Sequence, residues 1–111
     1  MKPKINLQEF EELVLLAILK LGVGAYGAAI HEQLEEAGRN VAIGALYTTL
    51  SRLEKKGYIS SWIGEPTAER GGRAKKFFKV EASGEALLDA ARNYRRHLSP
   101  DPRYALEGGA V

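Results

Sequence analysis

The chain has 111 residues, of which 45% are apolar and 27% charged, with no cysteine and a formal net charge of +2. That length suits one domain with a modest core, and the lack of cysteine excludes a disulfide framework or a thiolate metal site and fits a reducing compartment. The longest apolar run, LVLLAIL from Leu13 to Leu19, is too short to cross a bilayer and follows glutamates, so the sequence reads as soluble and cytoplasmic.

The small net charge hides a strong local pattern. Residues 1–38 carry three Lys against six Glu, residues 39–79 carry nine Lys or Arg against three Glu, and residues 80–111 carry four Arg against five acids. The middle third therefore stands at +6 between segments at −3 and −1. Such a block suits a polyanion, or is a chance cluster of solvated cations.

The first helix is predicted from Leu7 to Leu21. Leu7, Phe10, Val14, Ala17, Ile18 and Leu21 form one apolar stripe at helical spacing. Leu15, Leu16 and Leu19 fall off that stripe. A helix apolar nearly all round is buried on more than one side, either as a central core helix or against a second subunit. Gly22-Val23-Gly24 breaks it. A second helix is predicted from Tyr26 to Ala37, with Tyr26, Ile30, Leu34 and Ala37 on one face and Gly38 as a left-handed C-cap. His31 sits beside that face and reads as a satisfied or surface residue; with only two His in the chain there is no metal set.

The third helix spans Ile43 to about Lys56. Leu46, Leu50 and Leu53 repeat at i, i+4, i+7, with Ile43 near the same face, and Lys55-Lys56-Gly57 is a helix C-terminus. Two short helices joined by a tight turn make a helix-turn-helix. Alternation from Tyr58 to Ile63 predicts a strand, with Tyr58, Ser60 and Trp62 on one side and Ile59, Ser61 and Ile63 on the other. GEPTAERGGR, Gly64 to Arg73, is a turn-rich loop, and AKKFFKV, Ala74 to Val80, reads as the return strand. Ser83 is placed to N-cap a last helix from Gly84 to Leu98, with Leu87, Ala91, Tyr94 and Leu98 as a narrow apolar stripe. The tail from Ser99, with two Pro and two Gly, is expected to be disordered.

The fold class expected is mainly α with a two-stranded β wing: a winged helix-turn-helix over residues 1–80, a C-terminal dimerisation helix over 83–98, and a tail over 99–111. With its leucines inward, the third helix turns Gly44, Thr48, Ser51 and Lys55 outward, with Tyr47 and Arg52 on the flanks. Its thin N-terminal half suits entry into a major groove. Thr and Ser can bond base edges or phosphates, and a Thr methyl can touch a thymine methyl. Arg52, Lys55 and Lys56 suit backbone phosphates. Arg70, Arg73, Lys75 and Lys76 form a second basic group on the hairpin, for phosphates or the minor groove. No hydrolase, zinc-protease or nucleotide-binding motif is present, His31 and His97 lack a paired nucleophile, and the adjacent pairs Glu11-Glu12 and Glu35-Glu36 cannot face each other on a helix, so they read as solvated charge. The chain is expected to be no enzyme and to need no cofactor or metal.

The runs AYGAAIHEQL, AIGALYTTLSRLEKKGYISSW and GGRAKKFFKVEASGEAL resemble the PadR-type transcriptional regulators, from about Leu13 to Leu88. The most specific part is the pattern carried by Gly44, Leu46, Tyr47, Leu50, Arg52, Leu53, Glu54 and Gly57. One C-terminal helix resembles the small subgroup of that family. The resemblance implies a winged helix-turn-helix repressor, usually dimeric. It implies DNA contact by Tyr47, Thr48, Ser51 and Arg52 and by Arg73 and Lys75 of the wing. It also implies dimerisation through the first and last helices, which assigns Leu15, Leu16, Leu19, Leu87, Ala91, Tyr94 and Leu98 to the interface.

The chain departs from the pattern at Ala42, where the family often has a hydroxyl residue capping the recognition helix; such a cap is worth about 1 kcal/mol, unless Asn40 or a shifted start replaces it. Phe78 and Glu81 stand for the usual Tyr and Thr. The last helix has Tyr94 and no Trp, unlike the drug sensors with a Trp in that helix, so a flat aromatic-sandwich site is not expected, while a small-molecule effector remains open. The expected function is a homodimeric, sequence-specific DNA-binding repressor acting by promoter occupancy. The alternative is a winged-helix protein-interaction module, since fold alone does not give function.

Overall fold

The computed structural model describes residues 7–64 and 74–99. The elements run α1 (Glu9–Leu21), a 3₁₀ turn (Gly22–Gly24), α2 (Gly27–Glu36), α3 (Ile43–Lys55), β1 (Ile59–Ile63), β2 (Lys76–Val80) and α4 (Ala82–Leu98). Among the described residues the chain is thus mainly helical with one two-stranded antiparallel sheet, as its periodicity predicts.

Helix α1 runs through the middle, against α2, α3, β2 and α4. Val14, Leu15, Ala17 and Ile18 are buried there with Ile30 and Leu34 of α2, Leu46, Leu50 and Leu53 of α3, Ile59, Phe78 and Leu88. Each such side chain contributes about 1.5–3 kcal/mol by leaving water. Leu15, expected at the second-subunit wall, is instead fully buried within this chain. Central position explains it: the second apolar side of α1 meets the chain's own elements. Only Leu16 and Leu19 of the off-stripe trio stay exposed.

Two helices end in the same way. Gly38 (φ 97°) and Gly57 (φ 83°) take the left-handed conformation one residue past the C-cap. The Gly38 and Arg39 N–H groups donate to the Glu35 and Leu34 carbonyls, and those of Gly57 and Tyr58 to Glu54 and Leu53. This pair of bonds is the Schellman arrangement, which satisfies the last carbonyls and turns the chain away sharply.

β1 and β2 pair with Ile59 opposite Val80, Ser61 opposite Phe78 and Trp62 opposite Phe77. Ile59 and Phe78 are buried on the inner face, while Trp62 stacks on Phe77 outside with centroids 5.7 Å apart. The alternation predicted for the first strand therefore has the right parity. A third segment joins the sheet: the Phe78 N–H donates to the Ala25 carbonyl, and Tyr26 bridges to Phe77. Tyr26, expected inside the second helix, is therefore its extended N-cap.

The last helix starts earlier than its serine suggests. Its N-cap is Glu81, with no side-chain cap bond. Ser83 instead donates its hydroxyl to the Gly57 carbonyl at 2.7 Å. An exposed ion pair, Arg39 to Glu9 at 2.6 Å, ties the end of α2 to α1. That guanidinium holds the Glu9 carboxyl below the usual carboxylate range by hydrogen bond and charge.

Candidate nucleic-acid interface

Helix α3 is amphipathic without interruption. Leu46, Thr49, Leu50 and Leu53 are buried against the domain. Gly44, Tyr47, Thr48, Ser51, Arg52, Lys55 and Lys56 are all exposed. Tyr47, Thr48, Ser51, Arg52 and Lys55 line one shallow depression on the outer surface. The spacing of the leucines thus places these candidates on one face. Ile43, expected near the leucine side, is half exposed at the helix start. Its position before the first full turn leaves no element over it.

The chemistry of the face varies along its length. No side chain stands at Gly44. The Thr48 hydroxyl donates to the Gly44 carbonyl at 3.0 Å, one turn back. Its proton is used inside the helix, so it offers outward a methyl and acceptor lone pairs. The N-cap of the helix is Ala42, which has extended backbone and no side-chain cap bond. Asn40 does not replace the missing hydroxyl, and the start is not shifted. The orphan amides of the first turn therefore have no cap from that residue.

Tyr47 lies close over α2. A Cβ built on Gly27 would lie 2.1 Å from the Tyr47 hydroxyl. The ring thus leans over the first turn of α2, and the missing side chain there makes the space. The turn between α2 and α3 is held by His31, whose Nε2 is 2.7 Å from the Val41 carbonyl. His31 is a satisfied structural residue, as its position in the sequence suggests.

Arg52 and Lys56 lie nearest to a buried carboxylate. Glu11 of α1 is only 2% exposed. Its Oε1 accepts the Gln8 N–H at 3.1 Å. Its Oε2 is 3.6 Å from Lys56 Nζ and 3.9 Å from Arg52 Nη1. Glu11 is therefore not the solvated charge expected from the Glu11-Glu12 pair. Glu12 is also engaged, accepting from Arg95 of α4 at 2.6 Å. Adjacent residues on one helix do not face each other, but each can meet a partner on another helix.

Lys75 and Lys76 are exposed at the start of β2. Lys75 Nζ lies 4.3 Å from the Tyr26 ring centroid, a cation–π distance, and Lys76 Nζ lies 3.7 Å from Glu54 Oε1. Glu54 also accepts the Ser61 hydroxyl, so it joins α3 to both strands. Arg70 and Arg73, with Gly71-Gly72 between them, lie outside the described residues, as do residues 100–111 of the expected tail.

The other surface in question belongs to α1 and α4. Leu16 (38%), Leu19 (43%), Tyr94 (57%) and Leu98 (68%) expose apolar area. Leu87 is half buried. Ala91, expected on the outward stripe, is buried against this chain, as is Leu88 beside it. The packed edge of α4 thus runs through Gly84, Leu88 and Ala91, sharing only Ala91 with the predicted stripe.

A family model described as transcriptional regulator PadR-like family matches residues 15–90. The chain belongs to the PadR-like family. Its members are transcriptional regulators that bind DNA, not enzymes. Solved structures agree. A transcriptional regulator from Streptococcus is 26% identical, with TM-score 0.68 and 92% of each chain covered. A PadR-like transcription factor from Bacteroides fragilis is 27% identical, with TM-score 0.64 over 80% of this chain and 82% of that one. A PadR family regulator from Clostridium difficile shares the fold at 22% identity, with TM-score 0.66 over 80% and 90%. Among curated protein sequences no match is found. Among the described residues, no helix of this PadR-like chain is long and apolar enough to cross a membrane.

Proposed function

We propose that this PadR-like protein is a sequence-specific, homodimeric repressor that acts by occupying a promoter. The observation that carries the reading is the outer face of α3 with its C-cap Lys56: exposed residues that are small or hydroxyl-bearing toward one end and cationic toward the other, backed by a fully buried leucine row. Gly44 and Thr48 permit close approach to base edges, and Tyr47 and Ser51 flank them. Arg52, Lys55, Lys56, Lys75 and Lys76 suit phosphates, with Arg70 and Arg73 of the wing as further cations.

Dimerisation is supported by the unpaired apolar area of Leu16 and Leu19 on α1 and of Tyr94 and Leu98 on α4, with Leu87 at its edge. A dimer would present two α3 helices to major grooves about 34–36 Å apart. A small-molecule effector that favours another spacing would release DNA. The test is a fluorescence-anisotropy titration against the protein's own upstream DNA and random DNA at about 150 mM salt, with sedimentation to give the mass of the bound species. Specific binding at least about 10³-fold tighter than random, by a dimer, is expected. Equal affinity for both DNAs would refute specific readout.

A further inference from the structure

Glu11 Oε2 is the one buried side-chain nitrogen or oxygen without a hydrogen-bond partner among the described residues, and burial removes most of its water. An uncompensated buried charge is costly. The compensation comes from Arg52 of α3 and from Lys56, the C-cap of that helix four residues on, whose charged groups approach the same oxygen at 3.9 and 3.6 Å. Both side chains remain more than a third exposed, so both can also reach outward. The buried carboxylate and any phosphate therefore compete for the same two cations.

We propose that Glu11 is a positioning residue for DNA binding, holding Arg52 and Lys56 back toward α1 and so lowering the affinity and salt dependence of the complex. The inference rests on the DNA-binding reading above. Its physical basis is simple. Moving either cation fully onto a phosphate leaves Oε2 with less compensation, so each is only partly released. Lys55, which lines the depression on the outer face, makes no ion pair with Glu11.

The test is the slope of log K against log salt for the full-length protein and Glu11→Gln. The glutamine keeps an oxygen for the Gln8 N–H and removes the charge. Glu11→Gln is expected to bind about three- to tenfold tighter at low salt, with a slope steeper by about one per subunit. Glu85→Gln, an exposed acid on α4, controls for net charge and should leave the slope unchanged. A purely structural Glu11 would alter the melting temperature and not the slope. An unchanged slope in folded Glu11→Gln, or an equal rise in Glu85→Gln, overturns the proposal. Should Glu11→Gln not fold, Lys56→Ala and Lys55→Ala decide it: the slope should fall by about 0.9 for Lys55 and by clearly less for Lys56, and equal losses overturn the proposal. Wild-type protein with no salt-dependent DNA binding would overturn the DNA reading, and this inference with it.

Discussion

Tyr47 occupies the space that any side chain on Gly27 would need: a Cβ there would lie 2.1 Å from the phenol oxygen. The atoms in the way are the far end of a rotatable side chain, so Tyr47 would move and the backbone would not. Gly27→Ala should therefore leave the melting temperature unchanged or slightly raised, since alanine restricts the unfolded chain by about 0.4–1 kcal/mol at a backbone conformation it can adopt. DNA affinity should fall about tenfold, because a displaced flank on the reading face costs binding on the order of 1.4 kcal/mol. Circular dichroism melting and anisotropy titration check the two halves. Unchanged affinity would show that the position of Tyr47 is immaterial.

Gly84 presents the opposite case. A Cβ there would lie 2.4 Å from the Tyr58 carbonyl oxygen, which is backbone and cannot swing aside. Gly84→Ala should destabilise by about 1–3 kcal/mol. Urea unfolding should show a lower midpoint with an unchanged slope. A midpoint within error of wild type would mean that α4 can shift freely.

Ala42 is the N-cap of α3, with φ −67° and ψ 139°, the backbone a capping hydroxyl uses. Ala42→Ser should stabilise by about 1 kcal/mol. In a domain of this size that raises the melting temperature by about 4 °C. No gain would mean that the first-turn amides are already satisfied by water.

Thr48 and the cations should fail differently. Lys55→Ala and Lys75→Ala should weaken binding to all sequences alike, each lowering the salt slope by about one. Thr48→Ala should instead change the preference at one base-pair position by about 1–3 kcal/mol and leave the slope alone. Binding-site selection with each variant separates them. A uniform loss for Thr48→Ala would place it on the backbone.

Much of this was legible in the chain. The leucine row of α3 faces inward as its spacing requires, and Gly38 and Gly57 are left-handed as their places after helical runs imply. The outer face of α3 followed from the same periodicity. What stayed hidden depends on other elements. A helix apolar on two sides shows that it has two neighbours, but not whose they are; Leu15 is covered by its own chain. Ser83 has cap chemistry but bonds to a carbonyl 26 residues away. Glu11 resembles any first-turn acid until α3 is laid across it. Tyr26 and Ala25 join the sheet through backbone groups, for which no side-chain pattern exists.

The bond from Ser83 to the Gly57 carbonyl has a practical meaning for how the chain can be cut. Helix α3 is braced at its end by α4, through that hydroxyl and the tight seat of Gly84, and along its flank by α1. A fragment ending after β2 would lose more than a terminal helix. It would lose a strut of the helix-turn-helix itself, so residues 1–80 should not behave as an autonomous DNA-binding unit.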